Sequence, residues 1–338
     1  MKRLVLGLLA LAALALGLAA CGGDDAGESD TLVVYSGREE EIVAPLFARF
    51  ERETGIKVEV RYADSAELAA TIAEEGGNSP ADVFFAQDPG SLGSVDAQLA
   101  RLPDSVLDRV SPRFRDDAGH WVGTSGRARV VVYNTDELAA GDVPDSVFDL
   151  TDPKWKGKIG LAPTNASFQA YVTALRLVHG DDRARDWLVA LKANDAKHFP
   201  NNLSILQAIA RGEIEVGFVN HYYLFQLKAQ QPAAPVANHF LGKGDPGALV
   251  NAAGVGILKT SKQKATAQKF VDFLHSDWAQ HNVARGPGNA EYPVTTGVAR
   301  RPGLPAISQI EGPAINLGRL GRELPRTLQL LNEVGYTR

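Results

Sequence analysis

The chain is poor in sulfur. Its 338 residues include one cysteine, Cys21, and one methionine, the first residue. An intrachain disulfide is excluded, and so is a cysteine-built metal site. Stability has to come from apolar cores. Positive charge is not in excess: 35 Lys and Arg stand against 40 Asp and Glu, a formal net charge of -5. Nucleic acid as a partner is excluded on that ground, because a phosphate backbone needs a basic face. Mild acidity by itself reads as solubility, and it is compatible with a cationic ligand. Histidines at 120, 179, 198, 239, 275 and 281 form no HxH or HExxH spacing, so zinc has no support. There is no G-x-S-x-G elbow and no glycine-rich phosphate loop. The only thiol stands near the N-terminus, outside any catalytic pattern. An enzyme is therefore not expected. Internal repeats are absent as well, which argues against a structural surface protein.

Long apolar runs are lacking too, with one exception. Leu4–Ala20 is an unbroken run behind Lys2 and Arg3, and it leads into Leu18-Ala19-Ala20-Cys21-Gly22. A basic start, an apolar run and small residues before a break are the marks of a signal peptide. A cysteine at the first mature position resembles a bacterial lipobox, in which the thiol accepts a lipid. Two or more acyl chains hold a protein on a membrane where one is marginal. The plain alternative is a short membrane span with an incidental cysteine, at the lower edge of spanning length. Residues 1–20 are expected to be the lipoprotein signal peptide, and 21–30 a tether of small acidic residues (GGDDAGESD after Cys21). Loss of Lys2 and Arg3 takes the net charge from -5 to -7.

The length predicts two domains, and 45% apolar residues suffice for two cores. Thr31–Tyr35 (TLVVY), 57–61, 83–85, 129–133 (RVVVY), 216–220 and 253–258 read as strands. Helical spacing covers 39–53, with Ile42, Val43, Leu46, Phe47 and Phe50 on one face and Gly55 as its stop. Further helices are expected at 65–75 with Ser65 as N-cap, and at 168–179, 184–192, 202–211, 222–230, 266–276 and 322–334. Strands alternating with helices imply parallel βαβ units. A return to strand near residue 250 implies discontinuous lobes: 31–128 plus 250–303, and 129–249 plus 304–338. Ligands of such α/β folds bind beyond the strand ends and at helix N-termini, and hinge closure is the expected motion.

Seven stretches in this order carry a resemblance: LVVYSGREEE, GIKVEV, SPADVFFAQ, SGRARVVVYNTDEL, DPKWKGKIGLAPTNASF, LQAIARGEIEVGFVNHYYLF and DPGALVNAAGVGILK. The chain resembles the bacterial ferric-iron-binding proteins of ABC importers, over nearly all of 31–338. The resemblance implies an α/β, two-lobed periplasmic-binding-protein-like (type II) fold with a ligand cleft between the lobes. It also implies partnership with an ABC permease and its ATPase, a monomer, and a place on the extracytoplasmic face of the cell membrane.

The resemblance implies Fe(III) ligation by Tyr222 and Tyr223. The chemistry is consistent: Fe(III) is hard and favours anionic oxygen, and a bound cation lowers the pKa of a phenol, ordinarily about 10. The plain alternative is two packed tyrosines. Family members often carry histidine where Glu39 stands. A carboxylate is a hard donor, although a solvated residue in a first helical turn fits it equally. Gln87 departs from the glutamate of relatives, and a neutral amide is a poor ferric ligand. Asp88 departs from glutamine, and would repel an anion. Tyr35 and Tyr133 are phenols at strand ends, expected to pack or cap.

An anion such as carbonate or phosphate is an expected co-ligand. Arg127 and Arg129 share one strand face and offer planar forks for an oxyanion, with salt bridging as the alternative. Thr164, Asn165, Ala166 and Ser167 lead into a helix, where capping competes with anion binding. Asn202 and Asn220 match positions that contact the anion in relatives. His221 is expected at the rim of the site or behind the ligands. A binding protein of the same fold for an organic or inorganic anion without iron is the rival reading.

Overall fold

Short β-branched runs separated by amphipathic stretches set the architecture. The structure, a computed structural model, describes residues 31–310, 312–313 and 315–337. The expected signal peptide, lipid-bearing Cys21 and tether lie outside the described residues. In chain order the first elements are β1 (Thr31–Ser36), α1 (Glu40–Thr54), β2 (Lys57–Tyr62), α2 (Ser65–Glu75), β3 (Val83–Ala86), α3 (Pro89–Ser94), α4 (Asp104–Leu107) and β4 (Val122–Asn134). There follow β5 (Ile159–Leu161), α5 (Ala166–Ala193), β6 (Lys197–His198), α6 (Asn202–Ala210), β7 (Val216–Asn220), α7 (Tyr223–Gln230) and β8 (Val236–His239). The last are β9 (Val250–Ile257), α8 (Lys264–Leu274), α9 (Asp277–Arg285) and α10 (Gly318–Val334).

The strands run in the order β2-β1-β3-β9-β4-β7-β5-β6, with β8 on β4. β1 is parallel to β2 and β3, and β7–β5–β6 are parallel to one another. β4 joins the two groups. Up to Ala128 it pairs with Val250 and the rest of β9; from Arg129, opposite Asn220, it pairs with β7. The change of partner falls between Ala128 and Arg129. All of β4 is buried. Its first half, VGTSGRA, has little β propensity, and pairing against β9 overrides that.

α1 buries the five apolar residues expected, and Phe50 meets Phe270 of α8 edge-on at 5.2 Å. Each such side chain contributes about 1.5–3 kcal/mol through burial, and Phe50→Ala would cost about 3–5 kcal/mol. Gly55 ends the helix at φ 74°, a conformation that glycine adopts without strain. The two helices expected at 168–179 and 184–192 form one span, broken at Gly180 (φ 85°). α10 packs across both α3 and α5. On the α3 side, Gly321 lies against Gly93, and a Cβ on Gly321 would come within 2.4 Å of the Gly93 Cα. On the α5 side, Arg176 donates to the Glu323 carbonyl at 3.0 Å and to the Thr327 hydroxyl at 2.9 Å.

Ser65 is not an N-cap. It is the first residue of α2, behind Asp64. Its hydroxyl accepts from the Gln87 N–H at 2.9 Å and donates to the Gly37 carbonyl at 3.3 Å. It thereby ties together the turns after β1 and β3. No helix among the described residues is long and apolar enough to cross a membrane.

Candidate functional site

Four strand-to-helix turns and the middle of β4 converge. Arg38 and Glu39 stand between β1 and α1, Gln87 and Asp88 between β3 and α3. Asn165 caps α5, and Asn220 to Tyr223 link β7 to α7. Parallel strands present these turns at one end, where α/β folds bind ligands.

Tyr222 and Tyr223 are each 1% exposed. Although adjacent in the chain they lie side by side, with ring centroids 4.3 Å apart and the ring planes tilted by 30°. Gln87 Nε2 donates to the Tyr223 hydroxyl at 3.0 Å, and that hydroxyl donates to Glu39 at 3.4 Å. The first group of strands thus reaches the second through a phenol. Burial raises the Tyr223 pKa well above 10, and it raises Glu39 as well. A trivalent cation would reverse both shifts. A surface cavity of about 430 Å³ beside Gly37, Arg38, Glu39 and Asp64 opens next to the Glu39 carboxylate.

Three guanidinium groups surround the phenols. Arg129 is held by the Ser167 hydroxyl (3.2 Å), Asn202 Oδ1 (3.2 Å), Asn220 Oδ1 (3.3 Å) and the Phe218 carbonyl (3.0 Å). Burial lowers its pKa to about 10. Arg127 donates to the Ala252 carbonyl at 3.0 Å and lies 3.8 Å from Glu291. Burial lowers its pKa also. Arg38 makes a 2.7 Å ion pair with Glu291, and the two side chains are 2% and 1% exposed. Burial pulls the Arg38 pKa down, but Glu291 outweighs it and the net shift is upward.

The sequence-predicted residues are therefore brought together: Glu39, Arg127, Arg129, Ser167, Asn202, Asn220, Tyr222 and Tyr223. Asn165 serves as the N-cap of α5, taking the Ser167 N–H at 3.1 Å, and Ala166 begins the helix. The capping role of this turn is thus present. Asp88 caps α3 through Ser91, at 3.0 Å to the N–H and 3.1 Å to the hydroxyl. Burial raises its pKa, with Arg127 opposing. Tyr35 donates to Glu75 at 2.9 Å, away from the site, and Tyr133 sits on β4 opposite Val216. His221 does not line the rim. It is fully buried, with Nδ1 3.2 Å from the Ala128 N–H and Nε2 2.7 Å from the Ala290 carbonyl. Burial lowers its pKa to about 4, so the ring is neutral.

Arg38 and Glu291 are the residues that sequence reasoning missed. The one signal available was that Arg38 directly precedes Glu39, a residue already singled out; nothing local marks Glu291. Several buried polar atoms here make no hydrogen bond: Arg38 Nε, Arg127 Nε and Nη1, Arg129 Nε, Asn220 Nδ2, Tyr222 OH and Glu291 Oε1. Native interiors rarely leave such groups alone, and a bound ion commonly satisfies them. Donors facing inward suit an oxyanion, and hard oxygen atoms suit a small trivalent cation.

The Major ferric iron-binding protein of Neisseria meningitidis serogroup B is 36% identical over 310 residues, covering 90% of this chain and 92% of that one. The Fe(3+)-binding periplasmic protein of Serratia marcescens is 32% identical over 320 residues, 94% of each. The iron-bound HitA structure from Pseudomonas aeruginosa superposes with a TM-score of 0.85 at 34% identity, over 90% of this chain and 99% of that one. The two-lobed α/β fold expected from the sequence is the fold of these neighbours. Residues 68–306 match the family described as bacterial extracellular solute-binding protein, and the chain belongs to that family.

Proposed function

We propose that this protein is the extracytoplasmic binding component of an ABC importer and that its cargo is ferric iron. Tyr222 and Tyr223 bind as phenolates and Glu39 as a third hard donor, which together balance the ion's charge. Arg127, Arg129, Asn165, Ala166, Ser167, Asn202 and Asn220 receive a co-ligand anion such as carbonate or phosphate. The lobes are 31–128 plus 250–303 and 129–249 plus 304–338, divided where β4 changes partner. The open form captures the ion, and the closed form docks on a permease served by its ATPase. Release is a shift of population back to the open form. Cys21 carries the lipid anchor, and the protein acts as a monomer.

One observation carries the cargo assignment: two buried phenols meet across the division with hard oxygen and guanidinium groups, and several of the polar atoms gathered there lack partners. Three buried arginines and the neutral Gln87 favour the second reading, an anion bound without iron. Titration of metal-free residues 22–338 with ferric citrate, read in the visible spectrum, separates the two. A phenolate–iron charge-transfer band saturating at one equivalent, and absent in a Tyr222→Phe, Tyr223→Phe double variant, is the expected result. No band in the wild type, with citrate and carbonate both tried, would sink the ferric reading, and a thermal-shift screen of oxyanions would then test the second.

A further inference from the structure

The segment after α9 is anchored on one side of the cleft and touches the other. Tyr292 exchanges two backbone hydrogen bonds with Gly126 in the first half of β4, each 2.7 Å. The Glu291 N–H donates to the Val283 carbonyl of α9 at 3.0 Å, while its carboxylate holds Arg38. These bonds fix the segment to the lobe of β1, β3 and β9. On its other side the segment meets the tyrosine-bearing turn and α7. His221 Nε2 lies 2.7 Å from the Ala290 carbonyl. Because Nδ1 faces the Ala128 N–H, it must accept, and the ring proton sits on Nε2 and is donated to Ala290. Further out, Gly288 lies against Gln226, with 3.9 Å from a would-be Cβ to the Gln226 Cα. At the outer end the Arg301 guanidinium, itself donating to the Asn289 carbonyl at 2.7 Å, stands over the Phe225 ring at 5.0 Å.

We propose that residues 288–301 form a closure latch on α7, with His221 and Arg301 as its positioning residues, and that this latch sets how long cargo is retained. The inference rests on the lobe division and cargo reading given above. His221 immediately precedes the tyrosine pair, so its bond to Ala290 holds that turn against the opposite lobe. Ala290 is fully buried, and loss of the donor leaves its carbonyl without a partner in the closed form only. The cation–π contact of Arg301 is likewise made only on closure. The latch therefore acts on the closed state and leaves the coordinating atoms alone.

Two readouts on residues 22–338 test this. The first is the rate at which a strong chelator, EDTA, bleaches the tyrosinate–iron band in wild type, His221→Asn and Arg301→Gln. Release should quicken about tenfold in His221→Asn and about fivefold in Arg301→Gln. In Arg301→Gln the band should keep its wavelength, which a damaged metal site would not. The second is small-angle scattering of the cargo-free protein, whose open and closed forms are in equilibrium: weakening the closed form should shift both variants toward the open one and give a larger radius of gyration than wild type. A wild type that forms no band removes the cargo reading, and the scattering comparison then decides the latch alone. Radii equal to wild type in both variants, together with release within twofold where a band exists, overturn it.

Discussion

Glu291→Gln is the substitution from which most can be learned. The carboxylate is shared: Arg38 lies at 2.7 Å and Arg127 at 3.8 Å, and all three side chains are at most 2% exposed. Its removal leaves two guanidinium groups in a dry interior with Arg129 close by. Breaking a buried ion pair from one side costs about 3–5 kcal/mol, mostly through the stranded charge. Arg38→Gln should cost less, about 1–3 kcal/mol, because Glu291 keeps Arg127 and the excess of cations falls by one. Urea unfolding of residues 22–338 gives both values. The expected order is Glu291→Gln worse than Arg38→Gln. Phosphate or citrate in the buffer should recover more stability in Glu291→Gln than in wild type, because an anion replaces the lost carboxylate. A cost below about 1 kcal/mol for Glu291→Gln, or the reverse order, would refute the view of Glu291 as the charge that makes this cluster tolerable.

Two further outcomes are expected. His275, held between the Val271 and Gly123 carbonyls at 2.8 Å each, has its pKa lowered by burial. A depressed folded pKa means fewer protons bound when folded, so this contribution to stability is complete above about pH 6.5 and is lost as pH falls through that value toward the folded one. The melting temperature of His275→Gln should vary less with pH below 6.5 than that of wild type; an unchanged slope would show that this ring is not what titrates. Gln87→Glu would place a carboxylate where an amide now donates to Tyr223, and ferric affinity should rise about tenfold through a hard anionic donor. Isothermal competition against citrate measures it, and weaker binding would count against a ferric cargo.

The parts of this molecule that the sequence displays are those with local causes. The periodicity of α1, the VVVY run of β4 and the Gly55 stop act within a few residues, so they could be read. The tyrosine pair and the two arginines of RARVVVY were legible through chemistry and through family resemblance. What remained hidden depends on distant partners. The Arg38–Glu291 pair spans 253 positions in the chain. The first half of β4 is glycine- and serine-rich and becomes a strand only because β9 lies beside it. β8 lies inside a stretch full of proline, glycine and alanine, and β5 and β6 are too short to show a period. Ser65 follows the rule for a cap residue, yet its hydroxyl serves two loops. His221, beside two tyrosines, was open to a place at the rim or behind them, and the packing of Ala128 and Ala290 around the buried ring rules out the rim.

The position of β9 also bears on how the chain reaches its native state. β3 and β4 are 35 residues apart at their nearest ends (Ala86 to Val122, with 87–121 between), yet they are not neighbours in the sheet. The strand that separates them is made of residues 250–257, so the sheet cannot close until three quarters of the chain is available. Any shorter piece leaves β3 and the first half of β4 with open edges, the kind of surface on which strands of other molecules add. Pairing over such separations is slow, because loop closure comes before the contacts that reward it. The architecture that shares one strand between two groups of strands thus also makes folding a late and global event, in which neither group can be completed ahead of the other.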